Sequence, residues 1–111
     1  MITLGSRSFA GPFLTPLWSP PRAPGLYAVM IPGWRLLMFH PVHFGEAADL
    51  SAPGVLKGHP SYADWLALAG TEWNLYVATF EMYGAGEAER QSLQRELAGV
   101  VSSTVRGPLH A

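Results

Sequence analysis

The chain opens its regular patterning at Gly25. Leu26 to Ile31 is an unbroken apolar run bounded by Gly25 and Pro32, which suits a buried strand. Pro32-Gly33 is the pair expected at the centre of a type II turn. Arg35 to Phe39 resumes as a second strand, and His40-Pro41 interrupts it because proline lacks the ladder donor. Val42 to Gly45 continues extended. Residues 46–60, with Pro53, Gly54, Gly58 and Pro60, read as loop. Ser61 with Asp64 three residues on is a variant of the capping box. Behind it Tyr62, Trp65, Leu66 and Ala69 fall on one helical stripe, which Gly70 ends. Asn74 to Glu81 alternates, with Leu75, Val77 and Thr79 against Tyr76, Ala78 and Phe80, and reads as a third strand. Glu87 and Glu89 suit a helix N-terminus, and Leu93, Leu97, Val100 and Val101 form the apolar face of that last helix.

Before Gly25 the texture differs. Pro12, Pro16, Pro20, Pro21 and Pro24 exclude helix from residues 1–24 and favour extended backbone. Phe9, Phe13 and Trp18 are spaced along it, so the segment is expected to lie as a strap over the domain. Pro21 and Pro24 also make a P-x-x-P with Arg22 between them, a proline-ligand pattern. The expected fold is therefore α+β. A small, mainly antiparallel three-stranded sheet is flanked by helices in a domain of residues 25–111, preceded by a Pro-rich strap.

Composition narrows the class. With 111 residues there is length for one core and not two. Charged residues are 14% against about 25% in an average domain, so some surface is expected to be apolar or covered by a partner. Four Trp, four Tyr and five Phe exclude disorder as the main state. No apolar run approaches the ~20 residues of a membrane span. The net charge is −1, which excludes a generic basic nucleic-acid binder. Residues 1–45 hold Arg7, Arg22 and Arg35 and no acid. All eight acids come later, against Lys57, Arg90, Arg95 and Arg106. The absence of Cys removes thiol chemistry and is compatible with a cytoplasmic setting.

Metal chemistry would have to use His, Asp and Glu. His40, His43 and Glu46 are close in sequence, but residues three apart on a regular strand face opposite sides. His40 and His43 converge only if Pro41 introduces a bulge. No nucleophile elbow with Ser, His and Asp is present, and no phosphate loop follows a strand.

One ordered set of residues carries more. Gly25-Leu26-Tyr27 opens the first strand and His43-Phe44-Gly45-Glu46 closes the second. Asp49-Leu50, His59, an aromatic-bearing helix, a third strand and Glu89-Arg90-Gln91 follow in that order. Over residues 24–106 this resembles the GIY-YIG nuclease superfamily, named for a triplet on each of two adjacent strands. The resemblance implies a fold that cuts nucleic-acid phosphodiesters with one divalent metal, Mg²⁺ or Mn²⁺. It implies that Tyr27 helps to activate water and that His43 stands where the second triplet has tyrosine. His59 stands where a loop His or Tyr approaches substrate, and Glu46 follows the second triplet as an acidic neighbour.

The departures fall on the charged parts of such a site. The stretch Ser51-Ala52-Pro53-Gly54-Val55 has no arginine where relatives place one, and Lys57 is the only cation nearby. Counting back from Leu97 puts Gln94 where relatives have the metal-binding Glu. A neutral amide lacks the charge a hard cation prefers. Glu96 and Glu89 lie about 200° and about 140° around a helix from position 94 and point elsewhere. No Asn follows in Ser103-Thr104-Val105-Arg106, and residues 28–42 make a long interval between triplets. Losing one group that stabilises a transition state costs about 10²–10³ in rate.

Two readings follow. In one, a degenerate GIY-YIG-like domain binds nucleic acid or a protein as a regulatory module, holding Mg²⁺ or Mn²⁺ weakly or not at all. In the other, it is a metal-dependent endonuclease with an altered site. The candidate residues are Tyr27, His43, His59 and Gln94, with Glu46 and Lys57 beside them. Each also has a structural reading. Tyr27 suits a core, His43 suits a bond to a buried carbonyl, and His59 suits the loop before Pro60. Trp65 and Trp73 suit a core pair, and Glu87, Glu89 and Arg90 suit a solvated helix start.

Overall fold

The apolar run that begins at Leu26 needs cover on both faces, and the fold supplies it from three directions. The computed structural model describes the backbone of residues 1–33 and 39–104 and the side chains of 1–33 and 39–99. In chain order the strands are β1 (Ile2–Leu4), β2 (Arg7–Leu14), β3 (Gly25–Pro32), β4 (Phe39–Ala47) and β5 (Tyr76–Glu81). The helices are α1 (Tyr62–Ala69) and α2 (Glu87–Thr104), with 3₁₀ turns at Thr15–Leu17, Pro53–Val55 and Glu72–Asn74.

All strands pair antiparallel in the order β1-β2-β5-β3-β4. The sheet thus has five strands and not the three expected. Residues 1–14 are the reason: they form two strands of the sheet rather than a strap laid over it. Phe9 is completely buried, and Ala10, Phe13 and Leu14 pair with Thr79, Val77 and Tyr76 of β5. The prolines do not prevent this. Pro12 falls at a register shift in β2, beyond the Arg7–Phe9 stretch that β1 covers. There a missing N–H costs no ladder bond. Only residues 15–24 cross the domain without strand pairing. They are tied down by the Thr15 N–H to the Leu75 carbonyl (3.0 Å) and the Leu50 N–H to the Ala23 carbonyl (2.9 Å).

The alternation of side chains in β3 and β5 divides the core. On one face Leu26, Ala28, Met30 and Ala78 pack with Leu4, Phe9 and Leu97 of α2. On the other, Tyr27, Val29, Leu75 and Val77 pack with Leu50, Val55, Leu56 and Trp65 of α1. The α1 stripe holds, since Tyr62, Trp65, Leu66 and Ala69 all face this second cluster. Gly70 ends the helix at φ 87°, its N–H on the Leu66 carbonyl at 2.7 Å. Trp73 is not part of the core, being 55% exposed on its 3₁₀ turn. The third expected strand starts two residues later than its pattern suggested, at Tyr76.

In β4 the His40-Pro41 pair bends the strand without ending it. His43 pairs with Val29 but Pro41 pairs with Met30, so Val42 is one residue too many. This bulge lies on the sheet's edge strand, where proline is tolerated. Residues 34–38, where the second strand was expected to begin, lie outside the described residues, as do the side chains of Val100 and Val101. No described helix is long and apolar enough to cross a membrane.

Candidate functional site

Both glycines that frame the two triplets are sterically required. A Cβ on Gly25 would collide with the Phe80 carbonyl and the Glu81 Cα of β5. A Cβ on Gly45 would collide with the Cζ, Oη and Cε1 atoms of Tyr27, its partner across the β3–β4 pair. The Tyr27 ring therefore lies over the bare backbone of Gly45, and Thr79 faces it from β5. Position 45 is where the β4 strand can admit a ring, and position 27 supplies one.

From Tyr27 a chain of rings runs to α1. Tyr27 and His43 have centroids 5.8 Å apart, and His43 and His59 lie 4.8 Å apart, edge to face. Trp65 closes the group at 4.9 Å from His43 and 4.6 Å from His59. Four separate segments thus deliver one side chain each. The bulge matters for His43: Val42 and His43 both turn to the α1 side. It also brings His40, opposite Ile31, onto the same sheet face as His43, opposite Val29. The condition for those histidines to share a face is met. Even so, no group of three or more His, Asp or Glu among the described residues is placed to hold a metal.

His59 is fixed by the start of α1. The Ser61 N–H donates to its Nδ1 at 3.0 Å. An acceptor nitrogen needs its lone pair, so the ring proton sits on Nε2. Ser61 makes no side-chain cap, so the expected capping box is absent, and the Ser61 N–H that Asp64 would bind in such a box goes to His59 instead. His43 is held below the usual histidine range, at about 4, by burial and then by His59. It is neutral at pH 7 and a weak base. The Tyr27 hydroxyl is pushed up by burial and then by the negative charge of Glu46, so it stays protonated. Chemically the group offers hydrogen-bond donors at Tyr27 and His59 and a neutral imidazole between them.

The remaining candidates are engaged elsewhere. Glu46 accepts a 2.8 Å charged bond from Nε of Arg90, whose Nη1 donates to the Ala85 carbonyl at 2.8 Å. Gln94 donates from Nε2 to the Phe44 carbonyl at 2.8 Å, on the α2 side of β4. Its role there is to satisfy an edge-strand carbonyl. Lys57 is exposed on the loop before His59. Arg90 is a correction to the sequence reading. It is buried, 7% exposed, rather than part of a solvated helix start. A signal existed, because Arg90 is seven residues before Leu97, two turns away on the same helix face. Trp65 as a wall of the ring group was also missed, since its stripe spacing indicates core and nothing more.

A divalent cation of the Mg²⁺ or Mn²⁺ type requires several oxygen ligands, carboxylates above all. The donors that face the ring group are imidazoles and a phenol, while the one carboxylate beside Tyr27 is already neutralised by Arg90. The residues present do not fit such an ion. In comparisons with known proteins, no family model, no curated protein and no solved structure matches this chain.

Proposed function

We propose that the chain is a GIY-YIG-like domain whose cleft survives as a nucleic-acid-binding site and no longer supports efficient hydrolysis. The observation that carries this is the division of the candidate residues. Tyr27, His43 and His59 meet in one ring group, whereas Gln94 and Glu46 are spent on Phe44 and Arg90. The pairing of the two triplets on adjacent antiparallel strands, with the third strand on the other side of β3, supports the same reading. Tyr27 and Trp65 are the buried backing of the group, each 4% exposed, and the half-buried imidazoles of His43 and His59 are the rings that reach its surface. Imidazole faces with a hydrogen-bond donor suit unpaired bases, where stacking contributes about 1–3 kcal/mol per base. With net charge −1, duplex binding is weak and lost at moderate salt. A cysteine-free chain suits the reducing cytoplasm as its setting.

A metal-dependent endonuclease is the second reading, favoured by the intact Tyr27 hydroxyl beside two histidines. The test compares native protein with Tyr27→Phe on plasmid and single-stranded DNA in Mg²⁺ and in Mn²⁺. The binding reading expects no cleavage by either form. Cleavage by the native form that falls about 10²-fold or more in Tyr27→Phe would establish the endonuclease.

A further inference from the structure

We infer that the groove between the Thr15–Pro20 segment and the loop from Leu50 to Lys57 binds a small, flat, apolar monoanion, of which an aromatic carboxylate is the simplest form. This goes beyond the proposed function and uses none of the four ring-group residues. The groove holds about 310 Å³, at the lower end of the roughly 300–1,000 Å³ of small-ligand sites.

Its walls decide the ligand. The half-buried Trp18 packs on the buried Leu50 and Leu56 and, with the prolines, gives the apolar surface for a ring. Pro16, Pro20 and Pro53 also line it, and proline brings no N–H. The two hydroxyl hydrogens are committed already, Thr15 to the Glu72 carbonyl at 3.2 Å and Ser51 to Asp49 Oδ1 at 2.6 Å. The charged group of the lining is the ammonium of Lys57, exposed at one end and without an ion pair among the described residues. The neighbouring acid, Asp49, accepts both Ser51 bonds on Oδ1 and lies in the field of Arg22. A single negative charge at one end of an apolar body matches this layout.

The groove is also preformed. One wall is held by the Thr15 N–H on the Leu75 carbonyl (3.0 Å). The other is held by Val55 N–H to the Ala52 carbonyl (3.1 Å) and Gly58 N–H to the Pro53 carbonyl (2.7 Å). Little ordering cost is then charged against a ligand with few atoms.

The probes are 2-naphthoate and its neutral counterpart 2-naphthylmethanol, titrated into ¹⁵N-labelled protein. Native protein is expected to bind naphthoate with Kd on the order of 1 mM, shifting the Trp18 indole N–H and the amides of residues 50–57. Lys57→Met keeps the stem and removes the charge. It should weaken naphthoate about two- to fivefold and leave the alcohol unchanged. Ala52→Trp, at an exposed position lining the groove, should abolish both, with the spectrum itself reporting that the fold is kept. Shifts centred elsewhere, no saturable shift, equal binding of acid and alcohol by native protein, or an Ala52→Trp variant that binds normally would each overturn the assignment.

Discussion

Gly45→Ala should cost about 1–2 kcal/mol, and the whole of that cost should disappear when Tyr27 is removed first. The added methyl would sit inside the Tyr27 ring. Tyr27 is 4% exposed and packed among His43, Val29 and Trp65, so it has little room to give. Overpacking of a filled core costs about 1–3 kcal/mol. Against it stands a gain of about 0.4–1 kcal/mol from the lower chain entropy of alanine, because Gly45 does not need a left-handed backbone. Tyr27→Ala alone should cost about 3–5 kcal/mol as a large buried ring lost. In that background the Gly45 methyl enters the vacated space, and the second substitution becomes neutral or stabilising. The coupling between the two sites is then about 2 kcal/mol, well above the ~0.5 kcal/mol scatter of independent positions. Urea unfolding of the four proteins measures it. Additive effects would show that the ring does not lie over Gly45, and the steric account of the two triplets would fall.

Three further outcomes follow from the same geometry. His43 has its pKa at about 4 in the fold against about 6.5 when unfolded, so the unfolded chain binds more protons between those values. Stability should be full above about pH 6.5 and fall as pH drops towards 4. His43→Phe should flatten that slope, and identical profiles for both proteins would contradict the assignment. Gln94→Glu replaces the donor to the Phe44 carbonyl with an ionised acceptor and should cost about 1–3 kcal/mol at pH 7. Calorimetric titration with Mn²⁺ should show no gain in affinity over native protein, and tight Mn²⁺ binding would refute the placement of position 94. Arg90→Met strands the Glu46 carboxylate and the Ala85 carbonyl and should cost about 3 kcal/mol. Adding Glu46→Leu should recover much of it, and a thermal melt unaffected by Arg90→Met would count against the ion pair.

The elements whose partners lie nearby in sequence were legible. β3, α1 and α2 announce themselves through an apolar run, a helical stripe and paired acids at a helix start. Pairing between β2 and β5 was not legible, because nothing in the Phe9–Leu14 stretch separates an extended strap from an inner strand. Only the distant Tyr76–Thr79 stretch decides it. Pro12 there also argues against a strand unless the position of the uncovered edge is known. Of the site, Tyr27, His43 and His59 were found through an ordered motif, and three dimensions bring them together. Gln94 was placed by counting along a helix. Counting gives a position on the helix and not the edge-strand carbonyl it meets. The Arg90–Glu46 pair spans 44 residues, and only the fold brings those two charges together.

The central claim is that the ring group receives nucleic acid without cutting it. Its most direct test is titration of ¹⁵N-labelled protein with a short single-stranded oligonucleotide in low salt with Mn²⁺, the strand length being checked in the same tube. The account predicts saturable shifts of the Trp65 indole and of residues 27, 43 and 59, weakened by added salt, over an uncut oligonucleotide. Shifts confined to other surfaces, or an oligonucleotide that is cleaved, would contradict it.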